Sequence, residues 1–287
     1  MSEPSLPHLT QARVPLTHAL EVVNEYGERL VMDIPSERAL TVYVDKREVV
    51  TLMTLGAQPE WLVLGFLLNQ RLVASAAEVE SITVDWEVGA AAVKTRSGVV
   101  DLAQKTSKRV VTTGCGQGSM FGDLMASVET IKLLPANITQ GQLYSMVNAI
   151  RLQDSIYKTA GSVHGCALFQ DEAMLLFIED VGRHNAIDAI AGWMSLQNGL
   201  RSDNKFFYTT GRLTSEMVIK SAQMMVPIVV SRSGITQMGH HVAQAVGLCA
   251  VGRATNKRFV VYANPQRLVL QPELAGPRPT PAPRSTL

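Results

Sequence analysis

Apolar and polar positions follow a regular pattern through the second half of the chain. Short apolar runs predict strands near residues 163–169, 174–179, 205–210, 226–231, 247–251 and 258–263. Apolar residues at helical spacing predict helices between them, near residues 186–196, 215–225 and 236–246. Such an alternation is the signature of a parallel sheet with right-handed crossovers. Because only Gln170-Asp171-Glu172 separates the first two strands, that step is a hairpin and the sheet is mixed.

The first of these helices has the clearest predicted start. Asn185 is expected to cap it, with Asp188 in the position of a capping box. The helix's apolar stripe consists of Ile187, Ile190, Ala191 and Met194. The sequence therefore predicts that the helix begins just after Asn185.

The first third of the chain is predicted to be rich in β-structure. Residues 40–44 and 49–53 flank a short Asp45-Lys46-Arg47 turn, which is the pattern of a hairpin. Pro59 and Glu60 then occupy favoured first-turn positions of a helix. Further strands are expected near residues 79–86, 90–95 and 109–113, the last running into a glycine-rich loop.

The two ends of the chain differ in composition from the part between them. Residues 1–14 are polar and contain prolines, and residues 272–287 read PELAGPRPTPAPRSTL, so neither end can bury enough apolar surface to order itself. Between these ends, the patterns predict a β-rich part with one helix over residues 15–105 and an α/β core over residues 106–271. No repeat of fixed period and no low-complexity linker lies between the ends, so composition gives no clean boundary between these two parts.

Charge and cysteine content narrow the functional classes. The 287 residues are 46% hydrophobic and carry a formal net charge of +1, which gives no overall field for nucleic acid or an anionic membrane. The first ten residues lack the basic start and apolar stretch of a signal peptide, and no apolar run reaches membrane-spanning length. Three widely spaced cysteines argue against a disulfide framework. We therefore expect a cytoplasmic protein that binds neither nucleic acid nor membrane.

Arginines beside glycine-containing turns follow the predicted strands. They are Arg183, Arg212, Arg232 (flanked by Ser231 and Ser233) and Arg253. Ligands of open α/β sheets bind beyond the carboxyl ends of the strands, where helix N-termini and guanidinium groups both favour phosphate. The arrangement predicts a ligand rich in phosphate. The alternative is that the arginines pair with local acids such as Asp180 and Glu216 and only tie loops together.

Cys115 lies in a second unusual setting. It follows a predicted strand and is surrounded by glycines, in Gly114-Cys115-Gly116-Gln117-Gly118. Such a loop leaves the sulfur accessible and lets backbone amides stabilise a thiolate, so it indicates a nucleophile. The alternative, a small buried residue, would be an odd use of so many glycines.

The remaining cysteines and histidines have less distinctive surroundings. Alternation places His164 and Cys166 on one face of a strand, but no other ligand pair completes a tetrahedral metal set. We interpret Cys166 and Cys249 as core residues and place His164 near the site. His184, beside Arg183, is expected to transfer a proton or contact phosphate, or else to cap a loop.

Three segments at these strand ends carry long, specific patterns. They read Glu179-Asp180-Val181-Gly182-Arg183-His184-Asn185-Ala186-Ile187-Asp188, Thr210-Gly211-Arg212-Leu213-Thr214-Ser215-Glu216-Met217 and Gly161-Ser162-Val163-His164. They resemble the FdhD family, the sulfur carriers that serve formate dehydrogenase. The resemblance covers residues 38–270, including Gly65-Phe66-Leu67-Leu68 and Tyr262-Ala263-Asn264-Pro265-Gln266-Arg267.

The resemblance implies a cytidine-deaminase-like mixed α/β fold without zinc chemistry, usually in a homodimer. It also implies a sulfurtransferase activity: a cysteine desulfurase would load a persulfide on Cys115, and the sulfur would pass to the bis(molybdopterin guanine dinucleotide) cofactor of formate dehydrogenase or a related molybdoenzyme. That cofactor's GDP-like moieties agree with the arginine-bearing turns. No tightly held metal is expected.

By the same resemblance, a strand near the C-terminus is expected to contact the nucleotide part of the cofactor. Its residues are Phe259, Val260, Val261, Tyr262, Ala263 and Asn264. With the arginine turns, this gives a predicted binding set of Arg183, His184, Arg212, Ser231, Arg232, Ser233, Arg253 and residues 259–264.

One position departs from the family pattern and keeps a second function open. The family's loop has two cysteines spaced Cys-x-x-Cys, whereas Gly118 stands in the second position here. Either Cys115 suffices alone, with Cys166 as a conceivable substitute partner, or the protein is a chaperone that binds the cofactor without transferring sulfur. A deaminase-like hydrolase is excluded, because the sequence lacks the His-x-Glu and Pro-Cys-x-x-Cys motifs of that chemistry.

Overall fold

The computed structural model describes residues 6–99, 130–200 and 203–276. The Cys115 loop, the strand predicted at residues 109–113 and the boundary expected near residue 105 lie outside the described residues. In the described part of the chain, none of the helices has the length and apolar content needed to cross a membrane.

The first part of the chain forms a five-stranded sheet, a separate two-stranded hairpin and one helix. The strands are β1 (His8–Leu9), β2 (Thr17–Val23), β3 (Arg29–Pro35), β4 (Arg38–Val44), β5 (Arg47–Thr54), β6 (Val79–Asp85) and β7 (Ala90–Thr95), and the helix is α1 (Pro59–Asn69). The sheet has the spatial order β1-β6-β7-β4-β5, and β2 pairs with β3 alone. The predicted hairpin is confirmed as β4 and β5. Its turn residues Asp45 and Lys46 have φ values of 46° and 71°, as a two-residue hairpin turn requires.

The second part forms a six-stranded mixed sheet with helices on both faces. Its elements are β8 (Ile138–Thr139), α2 (Gln140–Leu152), α3 (Ile156–Ala160), β9 (His164–Gln170), β10 (Ala173–Asp180), α4 (Arg183–Ser195), β11 (Lys205–Thr209), α5 (Ser215–Gln223), β12 (Ile228–Ser231), α6 (Gln237–Ala245), β13 (Cys249–Thr255), β14 (Arg258–Ala263) and β15 (Leu268–Val269). The sheet order is β10-β9-β11-β12-β13-β14, in which β11, β12 and β13 are parallel and the other pairings are antiparallel. The predicted mixed sheet with flanking helices is therefore confirmed.

Two apolar cores hold these layers together. One unites the inner face of the five-stranded sheet, helix α1, helices α4 to α6 and one face of the six-stranded sheet. The other lies between helix α2 and the opposite face of the six-stranded sheet. Alternation along each strand explains this division, since Leu168 and Phe207 enter the first core while Phe169 and Tyr208 enter the second.

Helices α1 and α4 cross at unusually short distance. A Cβ atom added to Gly65 would lie 1.7 Å from the carbonyl oxygen of Asp188, and one added to Gly192 would lie 2.0 Å from that of Trp61. Two glycines thus allow the helix backbones to touch, which joins the two sheets into one body. The crossing also fixes α4, whose first turn carries Arg183 and His184.

The predicted cap of α4 is wrong. The helix begins at Arg183 with Gly182 as its N-cap, so Asn185 and Asp188 lie inside it. Asn185 Nδ2 instead donates to the carbonyl of Met53 and to Asp180, and Asp188 binds Lys220. A tertiary partner for each side chain has replaced the local capping interaction.

The chain ends are partly ordered where they meet the body of the protein. Strand β1 pairs with β6, and Glu60 accepts hydrogen bonds from Thr10 Oγ1 and the backbone N–H of Ala12. The stretch predicted to be loose over residues 1–14 therefore contains an ordered strand. At the other end, residues 272–274 form a short 3-10 helix.

Candidate functional site

The predicted site residues that follow the strands gather at one edge of the six-stranded sheet. Strands β11, β12 and β13 end there, and β9 runs in the opposite direction, so its first residue, His164, lies at the same edge. The register pairs His164 with Asp180, and His164 Nδ1 lies 3.4 Å from Thr210 Oγ1. Ligands of such sheets bind at this edge.

Arg183 is buried at the start of α4, with an exposed fraction of 5%. Its aliphatic part passes directly over Gly211, because a Cβ atom there would lie 2.6 Å from Arg183 Cδ. The position of Arg183 thus requires a glycine in the turn after β11. Its Nε atom is buried and has no hydrogen-bond partner among the described residues.

The other three arginines are exposed, and the turns that carry them are tied together. The backbone N–H of Arg232 donates to Thr209 O at 2.9 Å, and that of Arg253 donates to Ser233 O at 2.6 Å. Arg253 lies inside β13 rather than after it, because the strand continues to Thr255, and its φ is 52°. All three arginines are exposed residues, so a ligand can reach them.

Ser231 fixes the turn after β12. Its buried hydroxyl donates to the carbonyl of Gly211 at 2.7 Å and accepts from the backbone N–H of Ser233 at 2.9 Å. These two bonds satisfy the hydroxyl within the protein. Ser231 therefore joins the Arg212 turn to the Arg232 turn, and Ser233 takes part through its backbone.

The acids considered as alternative partners for these arginines are engaged elsewhere. Asp180 accepts hydrogen bonds from Thr54 Oγ1, Leu55 N, Gly182 N and Asn185 Nδ2. Glu216 faces His184 and Lys220. Within the described ranges, no ion pair joins any of the four arginines to an acid. Among the described residues, the four arginines therefore have no ion-pair partner.

A buried chain of charged side chains lies behind His184. Glu216 Oε2 lies 3.5 Å from His184 Nε2, and Glu216 Oε1 lies 3.5 Å from Lys220 Nζ. Lys220 Nζ is 2.8 Å from Asp188 Oδ2, and Asn69 Nδ2 donates to Asp188 Oδ1 at 2.6 Å. All five side chains are buried, so the chain runs through the interior from α1 to the site.

The two histidines at this edge are both held neutral. Burial, together with the electrostatic effects of Lys220, Arg183 and His164, lowers the pKa of His184 to about 2. Burial also lowers the pKa of His164, and so do the guanidinium groups of Arg183 and Arg212. Both guanidinium groups therefore act on the imidazole of His164.

A cleft of about 320 Å³ opens at the same edge on the opposite face of the sheet. Tyr157 and Tyr208 line it, and the Arg232 guanidinium carbon lies 6.0 Å from the centre of the Tyr157 ring. Arg151 and Lys158 add positive charge to its walls, and Glu179, which accepts hydrogen bonds from the backbone N–H groups of Ile156 and Tyr157, adds one carboxyl group. Aromatic rings beside cations suit a flat base attached to phosphate. Sequence reasoning missed this cleft because it assigned no helix to residues 140–152, although Thr139 and Gln142 form a capping box there.

The residues predicted on β14 do not converge on one surface. Phe259 packs against Tyr144 with ring centres 6.1 Å apart, and Val260 is exposed. Ala263 is buried in the first core, and Asn264 Nδ2 donates to the carbonyls of Ala243 and Leu248. Val261 packs against the second core and Tyr262 against the first. Their predicted contact with a nucleotide stays a prediction.

Neither described cysteine is available for chemistry. Cys166 and Cys249 are fully buried, and burial raises the pKa of each thiol to about 12. Cys166 Sγ also donates to Thr209 Oγ1 at 3.3 Å. Cys166 therefore does not suit the part of a second sulfur-transfer residue. Among the described residues, no group of three His, Cys, Asp or Glu side chains could hold a metal ion.

Comparison with known proteins places this site in context. The model of the FdhD/NarQ family matches residues 35–269. The chain is 29% identical to the sulfur carrier protein FdhD of Bacillus subtilis over 248 residues, which is 86% of this chain and 92% of that protein. It is 30% identical to the FdhD of Halalkalibacterium halodurans over 239 residues, or 82% of this chain and 88% of that protein. A crystal structure of a formate dehydrogenase accessory protein from Desulfotalea psychrophila superposes with a TM-score of 0.73 at 24% identity, covering 89% of this chain and 100% of the other.

Proposed function

Because the chain belongs to the FdhD/NarQ family, we propose that it is a sulfur carrier that takes sulfur from a cysteine desulfurase as a persulfide on Cys115. It passes this sulfur to the molybdenum of a bis(molybdopterin guanine dinucleotide) cofactor, its substrate, for use by formate dehydrogenase or a related molybdoenzyme. It acts in the cytoplasm as a homodimer. The names of its relatives support the sulfur-carrier part of this proposal.

The observation that supports the proposal most is that Arg183 is buried and has no acidic partner among the described residues. A buried arginine without a carboxylate partner is costly, since desolvation of an unpaired charge amounts to several kcal/mol. Arg183 has no acid partner among the described residues and its Nε is unbonded. A phosphate-containing ligand would supply the missing counter-charge.

The cofactor is large enough to use both faces of the sheet edge. Arg183 and Arg212, around His164, form a cationic group suited to a pyrophosphate. The cleft beside Tyr157 and Arg232 is suited to a guanine with its own phosphates. Two nucleotide halves of one molecule would then span the edge from one face to the other.

The chemistry at Cys115 begins with loading. Its thiolate attacks the outer sulfur of the desulfurase persulfide, so that a new bond forms to Cys115 Sγ and the donor cysteine leaves as a thiolate. No net oxidation occurs in this exchange, because one sulfur–sulfur bond replaces another.

Release of the sulfur requires two electrons. The outer sulfur of a persulfide is at the oxidation level of elemental sulfur, whereas a sulfide ligand of molybdenum is two electrons more reduced. A loop with two cysteines can supply these electrons by closing a disulfide, but Gly118 prevents this here. An external thiol therefore attacks Cys115 Sγ, the outer sulfur leaves as sulfide, and a mixed disulfide remains until a second thiol reduces it.

Mass spectrometry of the intact protein tests the loading step. The wild type, Cys115→Ala and Cys166→Ala are incubated with a cysteine desulfurase and cysteine. We expect the wild type and Cys166→Ala to gain one sulfur atom and Cys115→Ala to gain none. Equal gain by Cys115→Ala, or no gain by any of the three proteins, would refute the persulfide carrier.

Gly118 favours one other function, a chaperone that holds the cofactor without transferring sulfur. Such a protein would bind GDP, a probe for half of the cofactor, and would restore a molybdoenzyme equally well with Cys115→Ala. The sulfur carrier would bind GDP but lose the restoring activity in that variant. Restoration assays with the two proteins therefore separate the functions.

A further inference from the structure

The buried chain behind His184 has no part in the binding scheme above. It links Asn69 of α1, Asp188 of α4, and Lys220 and Glu216 of α5, and it ends at the imidazole of His184. Burying charged groups has a desolvation cost that pairing offsets only in part, so such a chain is weak evidence for a purely stabilising role. The chain ends at His184, next to Arg183, which indicates that it controls the state of this imidazole.

The hydrogen-bonding needs of the imidazole define its relation to Glu216. His184 Nε2 is buried, and no described residue forms a hydrogen bond with it. The only charged acceptor placed beside it within the described residues is Glu216 Oε2, at 3.5 Å. A proton on Nε2 would give this buried ring nitrogen the acceptor that it needs, Glu216 Oε2.

The surroundings of His184 disfavour a protonated imidazole. Burial is the main cause, and the positive charges of Lys220 and Arg183 act in the same direction. Two buried carboxyl groups lie in the same region: Glu216 beside the imidazole and Asp180 at the start of α4. From strand β9, His164 faces the same region, and it too is held neutral by burial and by neighbouring arginines.

We propose that Glu216 and Lys220 are positioning residues for His184. Glu216 fixes the tautomer in which Nε2 carries the proton, and Lys220 holds Glu216 in place and keeps His184 uncharged. Asp188, held by Asn69, fixes Lys220 in turn. The inference rests on the proposed function only in making His184 a contact of the cofactor.

This arrangement specifies what His184 offers to a ligand. With Nε2 committed to Glu216, the other ring nitrogen has a lone pair and accepts a hydrogen bond. His184 therefore does not add to the positive charge that Arg183 provides. It suits an N–H or O–H donor of the cofactor placed next to a phosphate.

Nuclear magnetic resonance of the protein labelled with 15N-histidine tests the proposal without sulfur or cofactor. His184→Asn identifies the signals of His184 by their loss. In the wild type, we expect the shifts of a neutral imidazole protonated at Nε2, unchanged between about pH 5 and pH 8. In Glu216→Gln, the imidazole stays neutral but becomes a mixture of tautomers.

Lys220→Met provides the decisive variant, and Lys205→Met is its matched control. Lys205 is also buried, but it lies at the opposite end of β11. Loss of the positive charge at Lys220 removes one of the causes that lower the pKa of His184, so this pKa rises and the His184 signals titrate at a higher pH than in the wild type. Lys205→Met retains the wild-type spectrum.

A second variant covers the case in which Lys220→Met does not fold. Asp188→Asn with Lys220→Met removes one charge of each sign, and the His184 signals again titrate at a higher pH than in the wild type. The ratio of the GDP dissociation constants of variant and wild type then changes with pH at the midpoint of the His184 titration.

Three results would overturn the proposal. The first is a wild-type spectrum in which His184 is charged, and the second is one in which its proton lies on Nδ1. The third is a titration of His184 that is the same in the wild type, in Lys220→Met and in the double variant. None of them bears on whether Cys115 carries sulfur, because the spectra are recorded on the unloaded protein. Failure of Cys115 loading alone would leave the His184 network intact and reject only the proposed function.

Discussion

Arg183 is the residue on which the proposed site depends most. Its place results from Gly182, which caps α4, and from Gly211, which leaves room for its aliphatic part. No described acid neutralises it, so the folded protein bears the cost of a buried charge at this point. An anionic ligand bound at this point would supply the counter-charge and offset this cost.

Substitution of Arg183 by methionine separates binding from stability. We expect Arg183→Met to weaken GDP binding by at least about tenfold, since a charge-assisted hydrogen bond contributes about 1.5–3 kcal/mol. The midpoint of thermal unfolding should stay the same or rise, because an apolar side chain replaces an unpaired buried charge. Isothermal titration calorimetry and thermal denaturation measure the two effects, with the exposed Arg47→Met as control. A strongly destabilised variant with unchanged GDP affinity would make Arg183 a structural residue.

At the scale of elements, the crossing of α1 and α4 decides where the site lies. Gly65 and Gly192 bring the two helix backbones into contact, and Asn69 of α1 reaches Asp188 of α4. The same crossing orients the first turn of α4 toward the edge of the sheet. The N-terminal sheet thus supports the site without contributing a residue to the arginine edge.

A single added methyl group at this crossing tests the role of the close approach. Gly192→Ala places a Cβ atom 2.0 Å from the carbonyl of Trp61, so the helices must separate. We expect a loss of at least about 1–3 kcal/mol in the free energy of unfolding, measured by chemical denaturation.

Gly234→Ala is the control for this prediction. The atom nearest to its added Cβ would be Tyr262 Oη at 3.9 Å, and Gly234 does not have a positive φ. Its effect on the free energy of unfolding should stay within about 0.5 kcal/mol. Equal stability of the two variants would show that the crossing adapts easily.

At the scale of the whole molecule, the proposal describes a carrier with one reactive sulfur. The described cysteines are buried, and burial raises the pKa of each thiol to about 12, which leaves Cys115 as the nucleophile. A carrier with one thiol depends on external reductant for each transfer. Its cycle is then coupled to the thiol supply of the cell.

Gly118→Cys is predicted to remove this dependence. With a second loop thiol, the protein itself supplies the two electrons by closing a disulfide, so preloaded protein should release sulfide without added thiol. The wild type should release it only when glutathione or dithiothreitol is present. Sulfide is measured by colorimetric trapping, and preloaded Ser119→Cys controls for a misplaced thiol. Thiol-independent release by the wild type would contradict the one-thiol cycle.

The sequence by itself determined the mixed α/β core, the order of its strands along the chain and the turns that carry arginine. These features are local: apolar spacing marks the elements, and glycine and arginine after a strand mark the ligand edge. The family also followed from sequence, because its motifs are long and contiguous.

Only the tertiary structure decided which partners each side chain has. Asn185 and Asp188 looked like a helix cap, but Met53, Asp180 and Lys220 bind them across the fold. The chain from Asn69 to His184 joins residues far apart in sequence, and no local pattern encodes such contacts. The cleft beside Tyr157 likewise exists only because α2 and α3 pack on the second face of the sheet. Burial and pairing depend on the whole fold, which is why the charge states at the site could be derived only from three dimensions.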